Sequence, residues 1–236
     1  MATVVLRPQD RRAILLDLDG TLVDTLDDFV LALQAMLDAL GAPWCHYRIA
    51  RAQVEPLVGK GSENLVTQTL DLVQQALGVV TEDMSEQQAL LEQAIRLYLA
   101  CYCDINGRQA RVYDGVREAL EHWKRQAVPL ACVTNKPTRY ARDLLERVGL
   151  ASCFQVVVGG DAVARKKPDP MPLLEACRQL GVVPHQALMV GDSSNDAQAA
   201  RAAGCPVVLV DYGYNHGEPV QIAGADAVVG TLQALF

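Results

Sequence analysis

What this chain lacks already removes several classes of function. No apolar run approaches the ~18 consecutive residues that a membrane-crossing helix needs, so the sequence reads as a soluble protein with no membrane partner. Near the N-terminus only a short apolar stretch, ending at Leu6 before Arg7, stands where a secretory signal would carry a longer core. The seven cysteines are an odd number without framework spacing, and Cys101-Tyr-Cys103 is not a Cys-x-x-Cys pair; they read as reduced thiols in a cytoplasmic protein. His46, His122, His185 and His216 are scattered singly, which leaves no histidine pair for a zinc site. No Gly-x-x-x-x-Gly-Lys-Ser/Thr or Gly-x-Gly-x-x-Gly follows a candidate strand, so nucleotide-binding α/β folds lose support. Excess positive charge is also absent: a net charge of −7 argues against nucleic acid as a partner.

Two textures fill the 236 residues. From Leu26 to about Cys103 the pattern is helical. Leu26, Phe29, Val30, Leu33, Leu37 and Leu40 follow i, i+3/i+4 spacing up to Gly41. Further helices are expected over 49–58, after Gly61 as far as Leu77, and from about Ser85 onward. Outside this stretch, apolar strands alternate with helices. Strands are expected at Ala13 to Leu16, Pro129 to Val133, Gln155 to Val158, Ala187 to Val190, Pro206 to Val210 and Ala227 to Val229. Alternation of this kind implies an α/β fold: a doubly wound, Rossmann-like parallel sheet with helices on both faces. The expected division is a core of residues 1–23 and 104–236, with an α-helical cap domain, 24–103, inserted after the first strand.

The chemistry-bearing residues collect at strand ends, where open α/β sheets bind their ligands. Asp17-Leu-Asp19-Gly20 closes the first strand, and two carboxylates in one pocket require a cation or a shared proton. Thr134-Asn135 follows the second core strand and can supply a hydroxyl and an amide to an anion, or else cap the next helix. Lys167 lies between Lys166 and Pro168, in a backbone stiffened by two prolines. Gly191-Asp192-Ser193-Ser194-Asn195-Asp196 adds two more carboxylates after another strand. A set of carboxylates with one ammonium, a hydroxyl and an amide suits a hard cation such as Mg²⁺ and an anionic ligand.

These four clusters, in this order, resemble the four motifs of the haloacid dehalogenase superfamily, and the cap position resembles its helical-cap type. Gly59-Lys-Gly61, Thr134-Asn-Lys-Pro137, Gly159-Gly-Asp161, Lys166-Lys-Pro-Asp-Pro170 and Tyr212-Gly-Tyr-Asn-His-Gly217 are similar to the phosphoglycolate phosphatases within it. The resemblance implies an Mg²⁺-dependent phosphatase for a small phosphorylated metabolite, most simply 2-phosphoglycolate. A sugar or amino-sugar phosphate such as N-acetylmuramate 6-phosphate, or a β-phosphoglucomutase-like transfer, is the alternative. It implies Asp17 as nucleophile and Asp19 as acid and base. Asp17, Asp19 and Asp192 would hold the metal with Asp196 in support, while Gly20, Thr134, Asn135 and Lys167 bind phosphate. Lys60, Gly61, Lys136 and Arg139 are the expected selecting residues. A monomer or a homodimer is compatible with this reading.

Overall fold

The structure, a computed structural model, describes residues 11–79 and 83–236. The N-terminal stretch weighed above as a signal core lies outside them, in 1–10. The strands are β1 (Ala13–Leu16), β2 (Val23–Asp24), β3 (Arg111–Val112), β4 (Leu130–Val133), β5 (Val156–Val158), β6 (Ala187–Gly191), β7 (Val207–Val210) and β8 (Ala227–Val229). The α-helices are α1 (Leu26–Leu40), α2 (Arg51–Val54), α3 (Ser62–Leu77), α4 (Met84–Ile105), α5 (Val116–Arg125), α6 (Thr138–Arg147), α7 (Met171–Leu180) and α8 (Ser194–Ala203). Among the described residues, no helix is long and apolar enough to cross a membrane.

Six strands form one parallel sheet in the order β5-β4-β1-β6-β7-β8. The sequence of β1 explains why it is central. Ile14 and Leu16 pack with Leu120 and Trp123 of α5 and Leu144 of α6, whereas Ala13 and Leu15 pack with Leu173 and Ala176 of α7 and Ala199 and Ala200 of α8. All four β1 side chains are fully buried, so an uninterrupted apolar run is what a strand covered on both faces requires. Burying each Leu or Ile is worth roughly 1.5–3 kcal/mol, enough to fix this strand between two helical layers. From β1 the chain steps through β4 to β5 on one side, then returns to β6 and proceeds to β8 on the other. The reversal lies between β1 and β6, and the crevice beyond their carboxyl ends is the expected ligand site of such a sheet.

Helices α1 to α4 bury a cluster of their own. Phe29, Leu33, Met36 and Leu37 of α1 meet Leu65, Val66, Leu70 and Val73 of α3 and Ala94, Tyr98 and Tyr102 of α4. Tyr98 and Tyr102 stack with centroids 5.3 Å apart, and Phe29 continues the stack at 5.6 Å from Tyr102. Tyr140 and Tyr214, from the sheet-bearing part, join the same cluster, and this brings the helices against the strand ends.

Two local features differ from the sequence reading. The helix expected over 49–58 is divided into α2 and a 3₁₀ turn at Glu55–Leu57, where Pro56 has no N–H to continue an α-helical ladder. The antiparallel ribbon β2–β3 was not foreseen, because two residues per strand are too few for a period-2 pattern to register. It joins the two connections between sheet and helices. Asp28, at the start of α1, accepts from the main-chain N–H of Gly107 at 2.7 Å and of Gln109 at 2.8 Å, which ties the return connection to the outgoing one.

Candidate active site

Three carboxylates converge where β1 and β6 end: Asp17, Asp192 and Asp196 each place an oxygen within 4.8 Å of the others. Asp17 immediately follows β1, and its N–H bonds to the carbonyl of Val190. Asp192 follows β6. Its Oδ1 accepts from the Thr21 hydroxyl at 3.0 Å and its Oδ2 from the Tyr214 N–H at 2.8 Å. Two glycines permit this packing. A Cβ on Gly20 would lie 2.3 Å from Asp192 Oδ2, and one on Gly213 would lie 2.2 Å from Asp192 Cβ. Asp196, in the first turn of α8, receives Ser193 N–H at 3.1 Å and the Ser193 hydroxyl at 2.9 Å on Oδ2. Its Oδ1 takes Lys167 Nζ at 2.6 Å.

Lys167 Nζ also stands 2.9 Å from Asp17 Oδ1 and donates to the Val133 carbonyl at 2.8 Å. Burial alone would lower this ammonium, but Asp17 and Asp196 outweigh that and hold it above its usual range. Burial pushes the Asp17 carboxyl up to about 7; Lys167 pulls it down and Asp196 adds to the rise. Asp192 is driven well above the carboxylate range by burial, then by Asp196 and Asp17.

The second carboxylate of the first motif is held separately. Asp19 Oδ1 accepts from the Thr25 hydroxyl at 2.7 Å and from Lys136 Nζ at 3.0 Å. One cleft is lined by Asp17, Asp19, Thr134, Asn135 and Lys136 from the sheet-bearing part, and by Phe29, Val58, Gly59, Gly61, Ser62, Leu65 and Tyr102 from the helices. Thr134 is buried, and its hydroxyl oxygen accepts from the Lys136 N–H at 3.2 Å. That bond leaves its O–H free to donate.

Asn135 takes a different part from the one expected of its amide. Nδ2 donates to the carbonyls of Gly59 at 2.9 Å and Lys167 at 2.8 Å, and Oδ1 accepts from the Lys167 N–H at 2.9 Å. Its side chain therefore clamps the Lys167 loop and the α2–α3 connection. Gly61 and Lys136 line the cleft; Lys60 and Arg139 do not. Lys60 is exposed, and Arg139 lies over the Tyr140 ring at 5.8 Å and donates to Cys103 Sγ. The sequence reading gave no role in the site to Thr21, Thr25, Phe29, Ser62, Tyr102 and Tyr214. Tyr214 had a signal in the Tyr212-Gly-Tyr-Asn-His-Gly217 run, whose tasks are now visible. Gly213 makes room for Asp192. The Tyr214 hydroxyl accepts from Thr25 N–H at 2.9 Å and donates to Asp24 Oδ1 at 2.8 Å. Asn215 accepts from the Ser194 N–H at the start of α8.

Charge decides what else this arrangement takes. Among the described residues, Asp17, Asp19, Asp192 and Asp196 face only two ammonium groups, those of Lys136 and Lys167. The deficit of positive charge, the raised Asp17 and Asp192, and an all-oxygen donor set together fit a hard divalent cation. Such a site can place a nucleophilic carboxylate, a proton-carrying carboxylate and anion-binding donors around one phosphate ester.

Comparison with known proteins agrees with this chemistry. A family model described as haloacid dehalogenase-like hydrolase matches residues 14–210. The chain is 40% identical over 225 residues to a phosphoglycolate phosphatase of Thiobacillus denitrificans, covering 95% of this chain and 94% of the relative. It is 44% identical over 224 residues to the plasmid phosphoglycolate phosphatase of Cupriavidus necator, covering 94% and 90%. Among solved structures, a predicted phosphoglycolate phosphatase of Haemophilus somnus superposes with a TM-score of 0.85 at 32% identity, over 94% of this chain and 95% of the other.

Proposed function

The chain belongs to the haloacid dehalogenase-like hydrolases, and from that premise we propose that it hydrolyses 2-phosphoglycolate to glycolate and phosphate with Mg²⁺ as cofactor. The observation that carries the reading is a division of labour between two carboxylates in one cleft. Asp17 is buried against Lys167 at 2.9 Å, and Asp19 is held apart by Thr25 and Lys136. Displacement of a halide needs a nucleophile but no proton on the leaving group. A second carboxylate beside the first supports an alkoxide as the leaving group.

An oxygen of Asp17 attacks phosphorus in line with the ester bond. That bond breaks with its electron pair on the glycolate oxygen, which takes a proton from Asp19. Asp19, now ionised, then takes a proton from a water whose oxygen attacks the aspartyl-phosphate, and phosphate leaves with Asp17 restored. Lys167 and the Thr134 hydroxyl meet phosphoryl oxygens, where charge accumulates. Mg²⁺, held by the carboxylates of Asp17 and Asp192 and the Asp19 carbonyl with Asp196 in support, would supply the missing positive charge as a Lewis acid. The helices α1 to α4 cover the cleft and keep water from competing with the attack on the ester. The similarity to relatives named phosphoglycolate phosphatase supports the choice of substrate.

The test is phosphate release with and without Mg²⁺ from phosphoglycolate, β-glucose 1-phosphate, N-acetylmuramate 6-phosphate and a nucleoside monophosphate. Phosphoglycolate is expected to lead in kcat/KM by at least about tenfold, the scale of a single lost contact. Preference for a sugar phosphate, or isomerisation of glucose 1-phosphate, would remove the substrate assignment. Steady turnover by Asp17→Asn would remove the nucleophile.

A further inference from the structure

One buried cation in the cleft has no task in the steps above. Lys136 is 5% exposed, and its ammonium meets Asp19 Oδ1 at 3.0 Å and Oδ2 at 3.2 Å. It also donates to the Tyr102 hydroxyl. The Phe29 and Tyr102 ring centroids stand 4.8 and 4.9 Å from it. Lys136 and Asp19 come from strand ends, Phe29 from α1 and Tyr102 from α4, so the cage closes only where helices and sheet meet. Lys136 is the cation that lines the cleft beside Asp19, while the Lys166 ammonium lies at the rim against Gly61. Lys167, which serves the phosphoryl oxygens, is fixed on the Asp17 side of the site by Asp17, Asp196 and the Val133 carbonyl.

Position gives this cation a definite neighbour. A leaving oxygen that takes a proton from Asp19 must come within about 2.6–3.2 Å of its carboxylate. Lys136 Nζ is 3.0 Å from that same carboxylate. In glycolate the acid group is bonded to the carbon that carries the leaving oxygen, so ordinary bond lengths put its oxygens roughly 3 Å from that atom. The two reaches overlap at Lys136. An ammonium has three N–H donors; here they are spread over both Asp19 oxygens and the Tyr102 hydroxyl, and an incoming carboxylate would take the N–H now shared with the second Asp19 oxygen. The start of α3, at Gly61 and Ser62, borders the same cleft, and helix N-terminal N–H groups favour a negative ligand.

We propose that Lys136 is the specificity-determining residue that reads the leaving group's carboxylate, sharing its ammonium between Asp19 and a short 2-hydroxy acid esterified at the hydroxyl. The proposal rests on the phosphatase reading above and names what selects its substrate. A longer or bulkier acid would place its carboxylate beyond the cage or press against Phe29 and Leu65.

The experiment compares kcat/KM for phosphoglycolate and ethyl phosphate, which replaces the carboxylate by a methyl group, in the wild-type enzyme with Mg²⁺. The same pair is measured for Lys136→Met and for Lys136→Gln, the latter keeping a polar end in the cage without charge. Thermal melts monitor folding of both variants. The expected result is a wild-type preference for phosphoglycolate that falls at least about a hundredfold in either folded variant, the scale of a lost charged contact. Equal losses on the two substrates would overturn the proposal, because Lys136 would then serve only Asp19; so would an unchanged ratio. A wild-type enzyme with no preference for phosphoglycolate defeats the substrate reading itself, and that is seen before any variant is made.

Discussion

Removing the metal should make this protein less stable as pH rises, and the size of the effect follows from Asp17. Its carboxyl moves from 3.8 to about 7 because burial disfavours the charged form. A carboxyl raised in the folded state gives stability that is complete below the unfolded value and is lost as pH climbs through the folded one. The window is therefore pH 3.8 to about 7. Between pH 5 and 7 the loss is about 1.4 kcal/mol per unit, or roughly 2–3 kcal/mol, the opposing pull of Lys167 being already contained in the raised value. For a chain of this size that corresponds to about 5–10 °C in Tm. Asp192 is raised by the same causes and acts in the same direction. His216, lowered by burial and by Lys60, acts in the opposite direction, because a neutral folded imidazole favours higher pH. Asp17→Asn separates the two, since it removes only the carboxylate. In EDTA the wild-type Tm should fall from pH 5 to pH 8, and Asp17→Asn should melt above wild type at pH 8. Excess Mg²⁺ should raise the wild-type Tm far more at pH 8 than at pH 5, because cation and proton compete for the same oxygens. A wild-type Tm in EDTA that varies by less than about 2 °C over this range, or an Mg²⁺ effect equal at both pH values, would refute the charge argument.

Other perturbations test the supports of the site. Asn135→Ala strands the Lys167 N–H and carbonyl and leaves the Gly59 carbonyl with Asn195 as its donor; about 2–4 kcal/mol of stability should go, and kcat should fall at least tenfold as Lys167 loses its fixed position, as read by denaturant titration and steady-state kinetics. Gly213→Ala sets a Cβ 2.2 Å from Asp192 Cβ; the displaced carboxylate should weaken Mg²⁺ by about 10–100-fold, measured as the activation constant for Mg²⁺, and the overpacking should lower stability in EDTA by about 1–3 kcal/mol. Asp28→Ala leaves the N–H groups of Gly107 and Gln109 without their acceptor and should cost about 2–4 kcal/mol, visible as a lower Tm, while phosphate chemistry at saturating substrate survives.

The amino-acid sequence by itself determined the sheet and the location of its chemistry. Apolar runs such as Ala13–Leu16 are local signals, legible because a doubly covered strand tolerates nothing polar. Asp17, Asp19, Thr134 and Asp192 announce themselves by standing where those runs stop, whereas Lys167 lies nine residues beyond β5 and is marked by Pro168 and Pro170 around it. Family resemblance supplied the order of the motifs, and a model of the same family matches residues 14–210. Tertiary structure alone decided which side chains of equal charge face the cleft. Lys60, Lys136 and Arg139 are indistinguishable as sequence, yet only Lys136 enters, because Asp19, 117 residues away, and rings from α1 and α4 close around it. Asn135 looked free to bind an anion until folding brought the Gly59 and Lys167 carbonyls to its amide. A strand end is set by its neighbours in the chain, whereas the partner of a buried polar group is set by packing between segments far apart in sequence, and no local pattern records it.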